Sequence, residues 1–137
     1  MTELVVDASV ALKWFVPEVD GDAARRLLTS GVTLHAPRFL AVETINAAWK
    51  NWRKQLIGED VVGGVSGKIE ALIDVWHVDE TLLREATDLA RGLNHPLFDC
   101  LYLVLAKRLG AKVVTADKRL LGVAPAGLTV ALADWRP

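Results

Sequence analysis

Short unbroken apolar runs alternate along the chain with longer stretches in which apolar residues recur every three or four positions. Leu4-Val5-Val6-Asp7 is such a run, as a strand covered on both faces requires, and Ala8 to Phe15 follows with helical spacing as far as Pro17. Asp20 or Asp22 offers a cap for a second helix running through Leu28, Gly31 breaks it, and Thr33 to Ala36 reads as a second strand. Pro37 is expected to open a long helix ending near Gln55. On its wheel Val42, Ile45, Trp49 and Trp52 fall on one side, and Glu43, Asn46, Lys50 and Arg53 share an adjacent polar stripe. That arrangement turns Glu43 away from the apolar seam.

From Gly58 to Leu72 the pattern is again helical, although Gly58, Gly63, Gly64 and Gly67 weaken the propensity. Asp74 to Val78 reads as a strand and Asp79 to Leu93 as an amphipathic helix. Asn94-His95-Pro96 reads as a cap, followed by a strongly apolar helix from Pro96 to Leu109 that Gly110 ends. Lys112 to Thr115, Asp117 to Leu121 and Leu128 to Leu132 supply a strand, a short helix and a last strand. Strands and helices that alternate in this way predict an α/β fold, with a central, mostly parallel sheet flanked by helices, as one domain over residues 1–137.

With 52% of its 137 residues apolar, the chain can bury a core without disulfides or structural metal. The first apolar run is too short for a signal peptide or a membrane span, so a cytoplasmic protein that does not engage a membrane is expected. The lone Cys100 sits in an apolar helix and reads as a small buried thiol. His35, His77 and His95 are scattered singly, without the spacings of a zinc site, and read as structural or surface residues. The net charge of −1 excludes a protein that holds nucleic acid by a strong general basic field. Gathering four acids in one metal site, however, would leave 16 basic against 13 acidic residues elsewhere. Such a surface suits a polyanion that is cut rather than stored.

Candidates for those acids follow from where they fall. Ligands of open parallel sheets collect beyond the carboxyl ends of the strands, and Asp7 and Asp117 both stand at such ends, each before a helix. Aspartate is also a favoured N-cap, which explains either residue alone. Asp99 lies in the first turn of the most apolar helix, where burying a carboxylate costs several kcal/mol and the helix dipole returns at most about 1 to 2. Glu43 with Asn46 one turn on completes the set. Clustered carboxylates repel unless a cation lies between them, and an oxygen-only set selects Mg²⁺, with Mn²⁺ as its substitute. One or two such ions could activate water against a phosphodiester, with Ser9 and Thr115 orienting a carboxylate or a water.

The same residues, in the same order, resemble the blocks of the PIN-domain ribonucleases, and of their VapC-type toxins in particular. Val5-Val6-Asp7-Ala8-Ser9 with Ala11-Leu12-Lys13-Trp14 is similar to the first block. Ala36-Pro37 followed by Glu43 and Asn46 is similar to the second, Leu93-Asn94-His95-Pro96 through Asp99 and Tyr102 to the third, and Thr115-Ala116-Asp117 to the fourth. The resemblance implies a PIN fold and an endoribonuclease dependent on Mg²⁺ or Mn²⁺, with Asp7, Glu43, Asp99 and Asp117 as catalytic and metal-holding acids. It also implies homodimerisation and a cognate antitoxin that inhibits the toxin in a hetero-oligomer. Where some relatives carry an acid or amide just after the fourth acid, this chain has Lys118 and Arg119.

Trp14, Trp49, Trp52 and Trp76 suit either an interface or the core, and Lys13, Lys50, Arg53, Lys118 and Arg119 either phosphates or solvent. The paired acids of a receiver domain or of a haloacid-dehalogenase-type phosphatase are missing, as are P-loop and dinucleotide-binding glycine motifs. The alternative from another class is a PIN-like module that binds RNA or protein without cutting.

Overall fold

The computed structural model of the chain describes residues 3–137. Five strands form one sheet: β1 (Glu3–Val6), β2 (Thr33–Pro37), β3 (Val75–His77), β4 (Lys112–Thr115) and β5 (Thr129–Ala131). Their order is β3-β2-β1-β4-β5, and every neighbouring pair is parallel. Seven helices connect them: α1 (Ala8–Ala11), α2 (Gly21–Thr29), α3 (Phe39–Arg53), α4 (Glu59–Leu72), α5 (Leu83–Leu93), α6 (Leu97–Leu109) and α7 (Lys118–Val123). The α/β architecture expected from the alternating pattern is the one found.

The unalternating runs are explained by their place in the sheet. Val5 and Val6 in β1, and Val113 and Val114 in β4, are fully buried because both strands are interior and covered on both faces. Helix α6 packs over β1, β2 and β4. Its residues Cys100 to Ala106 are all buried, with Tyr102, Leu103 and Leu105 among the largest core side chains. Each such side chain contributes roughly 1.5 to 3 kcal/mol by its removal from water. Gly110 closes α6 in the left-handed conformation, φ 64°, its N–H bonding back to the carbonyls of Ala106 and Lys107.

Several local expectations are corrected. Pro37 belongs to the end of β2 and α3 starts at Phe39, whose N–H donates to Asp79 Oδ1 at 3.0 Å. The helix expected from Asp79 begins as a 3₁₀ turn over Asp79–Thr81 and becomes α5 at Leu83. The helix after β1 tightens to 3₁₀ over Leu12–Trp14. Asp20 precedes α2 with a left-handed backbone and makes no side-chain cap, while Asp22 in the first turn pairs with Arg25 at 2.5 Å. Helix α4 forms despite its glycines because Val65 and Ile69 are buried where it packs along α3, so tertiary contact overrides propensity.

Helix α3 does not bury its apolar seam. Its packed row is Leu40, Thr44 and Ala48, each fully buried. The seam of larger residues points outward: Val42 is 64% exposed, Trp49 41% and Trp52 42%, with only Ile45 partly covered. Small residues let α3 approach its neighbours closely, and the wheel alone cannot tell a wide apolar stripe from the narrow one that is buried. The Thr44 hydroxyl is enclosed without a hydrogen-bond partner. The tryptophan that enters the core is Trp135, after β5. Trp14 and Trp76 lie partly buried, with their ring nitrogens donating to the carbonyls of Ala24 and Glu70. Among the described residues, no helix is long and apolar enough to cross a membrane.

Candidate active site

In this sheet the chain runs outward from β1 through β2 to β3, then returns to the other side of β1 as β4 and β5. The order therefore reverses between β1 and β4, and the loops leaving these two strands part to open a crevice. Asp7 follows the last residue of β1, and Asp117 lies two residues beyond β4. Both are also N-caps. Asp7 Oδ1 accepts from the N–H of Val10 at 3.2 Å, and Asp117 Oδ1 accepts from Arg119 at 2.9 Å and Leu120 at 3.3 Å. Capping and a role in the crevice are thus compatible, since the cap of Asp117 engages only one carboxylate oxygen.

Asp7 is bound from both sides. Ser9 Oγ donates to its Oδ1 at 2.6 Å and the Thr115 hydroxyl donates to its Oδ2. Those hydroxyls are themselves anchored, because Ser9 Oγ accepts from the Ala116 N–H at 2.9 Å and Thr115 Oγ1 from the Asp117 N–H at 3.0 Å. The result is a stitched junction across the ends of β1 and β4. Burial outweighs these hydrogen bonds and, with the Glu43 charge nearby, raises the Asp7 pKa to about 7.

Glu43 comes from α3 and Asp99 from the first turn of α6, and each is held by a partner. The Tyr102 hydroxyl donates to Glu43 Oε1 at 2.6 Å. Glu43 is pushed above the ordinary carboxylate range by burial, against that hydrogen bond, and further by the charges of Asp99 and Asp117. Asp99 Oδ2 lies 2.6 Å from His95 Nε2, whose ring is buried. Asp99 is half-buried at the mouth of the crevice, not enclosed as its apolar helix implied, because Phe98 beside it is exposed.

Asp7, Glu43, Asp99 and Asp117 line one cleft of about 570 Å³, together with Ser9, Asn46 and Lys50. Phe39, Val42 and Phe98 form an apolar wall of the same cleft. Thr115 lies beneath, reaching the site through Asp7. The donors are hard oxygens without sulfur or imidazole, which fits Mg²⁺ or Mn²⁺ in chemistry. As they stand, among the described residues, no three His, Cys, Asp or Glu side chains are gathered closely enough to hold an ion, so closing on one requires side-chain movement. Mutual repulsion of the acids is consistent with that openness.

His95 and Tyr102 as holders of the two helix-borne acids were not read from the sequence. His95 stands four residues before Asp99, a spacing that joins side chains across a helix start. Glu43 and Tyr102 are 59 residues apart, and nothing local signals their bond. His35 and His77 also prove to be neighbours, with Nδ1 and Nε2 2.9 Å apart, and His35 Nε2 lies 2.8 Å from Glu3 Oε1. Parallel pairing of β2 with β3 brings them together, away from the cleft. Of the basic candidates, only Lys50 lines the cleft. Lys13 bonds to the Val19 carbonyl and Glu18, Arg53 lies over the Trp49 ring, and Arg119 borders a separate hollow with His95.

Comparison with known proteins agrees with this architecture. Ribonuclease VapC3 of Pyrobaculum aerophilum is 32% identical over 132 residues, which are 93% of this chain and 98% of that protein. Among solved structures, PAE2754 of Pyrobaculum aerophilum superposes with a TM-score of 0.74 at 22% identity, covering 96% of this chain and 85% of that one. VapC20 of Mycobacterium tuberculosis, described as a sarcin–ricin-loop-cleaving toxin, gives 0.70 at 19%, covering 98% and 99%. A chain of a toxin–antitoxin complex from Klebsiella pneumoniae is matched at 0.64 and 14%, covering 94% and 97%. The family model described as PIN domain matches residues 4–124, from the first residues of β1 to the residue after α7, and the chain belongs to the PIN-domain family.

Proposed function

We propose that this chain is the ribonuclease toxin of a toxin–antitoxin pair and hydrolyses RNA phosphodiester bonds internally, with Mg²⁺ or Mn²⁺ held by Asp7, Glu43, Asp99 and Asp117. The observation that carries the reading is the convergence of these four acids, from four separate elements, in one cleft at the point where the strand order reverses. Asp7, with its pKa near 7, is poised to exchange a proton for a cation. A divalent ion bound there supplies Lewis-acid activation of water and neutralises the charge that develops on the phosphodiester.

The chain's own contribution is placement. Ser9 and Thr115 fix both oxygens of Asp7, while His95 holds one oxygen of Asp99 and Tyr102 one of Glu43. Lys50, at the same cleft, offers a phosphate a cation, and Asn46 offers an amide. The names of the VapC relatives and the Klebsiella pneumoniae complex support an antitoxin partner for this chain. The reading also takes it as a homodimer that acts in the cytoplasm as one PIN domain.

The test is incubation of the purified chain, freed of any partner, with total RNA in Mg²⁺, in Mn²⁺ and in chelator, beside Asp7→Asn. Discrete fragments that require metal and vanish in the variant are expected. Equal cutting by wild type and Asp7→Asn, or cutting in chelator, would refute the site, and RNA binding without cutting would favour a non-cleaving module.

A further inference from the structure

One wall of the cleft is not chemistry-bearing at all. Phe39 and Phe98 stack with ring centroids 5.2 Å apart and planes 12° from parallel. Phe98 remains 52% exposed and stands next in sequence to Asp99. The stack is fixed from two sides, since Phe39 begins α3 with its N–H bonded to Asp79, and Phe98 lies in the first turn of α6. Exposed Val42 extends the same wall. Leaving a large aromatic face in water forfeits its burial, and here the face lies in the cleft that also holds the four acids and Lys50.

We infer that the Phe39–Phe98 stack is a nucleobase platform: the base of a bound nucleotide lies on the Phe98 ring while its phosphate turns toward the acids and Lys50. Three features point to a base rather than to an apolar protein side chain. The wall is flat and already one ring deep, it continues directly into the acidic site where a phosphodiester must lie, and a cationic group borders the same cleft. Every base presents a π-face, so such a platform tolerates sequence. It requires, however, that the base be unstacked, which selects single strands and loops over duplex.

This inference rests on the ribonuclease reading for its ligand, and the experiment separates the two. Single-stranded RNA of randomised sequence, partly substituted with iodouridine, is bound to the Asp7→Asn chain in Mg²⁺, irradiated and digested to peptides. Its affinity is measured in parallel for Phe98, Phe98→Leu and Phe98→Trp chains. The expected results are a crosslink in the peptide containing Phe98, affinity about tenfold lower for Phe98→Leu, which keeps apolar bulk, and affinity retained in Phe98→Trp. An unchanged affinity in Phe98→Leu with no crosslink there overturns the platform, even where wild type cleaves RNA and the ribonuclease reading stands. A Phe98 crosslink in a chain whose wild type cuts nothing supports the platform and sinks the nuclease. Loss of cognate antitoxin binding in Phe98→Leu, with RNA affinity unchanged, makes the face a protein dock and overturns the inference.

Discussion

The two sides of the cleft are built differently. Asp7, Asp99 and Asp117 sit on the sheet and α6, where β1, β4 and the middle of α6 are buried and each carboxylate is anchored within four residues of itself. Glu43 comes from α3, which packs along α4 and presents Val42, Trp49 and Trp52 to solvent. Its side-chain link to the sheet side is the single bond from Tyr102. Three of the acids are therefore anchored locally, and the fourth is held across the cleft by one long-range hydrogen bond.

The largest effect expected from breaking this contrast is at Asp7. Asp7→Asn should lower metal-dependent cleavage at least about 1,000-fold, read from initial rates on total RNA. The same variant sharpens the electrostatics. A carboxyl raised from 3.8 to about 7 binds more protons folded than unfolded across that range, so its contribution to stability without metal is full below about pH 4 and is lost as pH rises through 7. The loss is on the order of 4 kcal/mol. Thermal melts in chelator should therefore fall between pH 5 and 8 more steeply for wild type than for Asp7→Asn, and parallel curves would disprove the shift.

On the other wall, Tyr102→Phe removes the link to Glu43 and little else. It should reduce cleavage about 10-fold to 100-fold and weaken Mn²⁺ binding measured by calorimetry, while the melting temperature falls by only a few degrees. Thr44→Val replaces a buried hydroxyl that has no partner and should stabilise the chain by about 1 kcal/mol in urea unfolding. Destabilisation would mean that the hydroxyl makes a bond in solution. Smallest of all, Val42→Thr on the exposed seam should change unfolding free energy by less than about 0.5 kcal/mol.

What could be read from the sequence divides along the same line. β1, β4 and α6 were legible because an interior strand or helix must be apolar nearly throughout, and Asp7, Asp99 and Asp117 stood out as exceptions to those runs. The orientation of α3 was not. Val42, Ile45, Trp49 and Trp52 gave the stronger periodicity, yet close packing selected Leu40, Thr44 and Ala48, a choice made by neighbours distant in sequence. Glu43, on a polar helix face, was raised by the need for a further oxygen ligand beside the other acids. The pairing of His35 with His77 depends on strand register, and the reach of Tyr102 to Glu43 on how α6 crosses the sheet; neither leaves a local trace.

The place of β1 in the sheet also sets when the crevice can form. Of the five strands, the first made is the middle one of the sheet, and its neighbour β4 is made fourth. Asp7 waits 108 residues for the Thr115 hydroxyl that holds it, and Asp117 follows two residues later. Until then β1 has β2 on one edge and nothing on the other, so a half-made chain has the first acid but no crevice to put it in. Topology thereby imposes a delay: the crevice can form only after β4 has been made, long after the first of its acids.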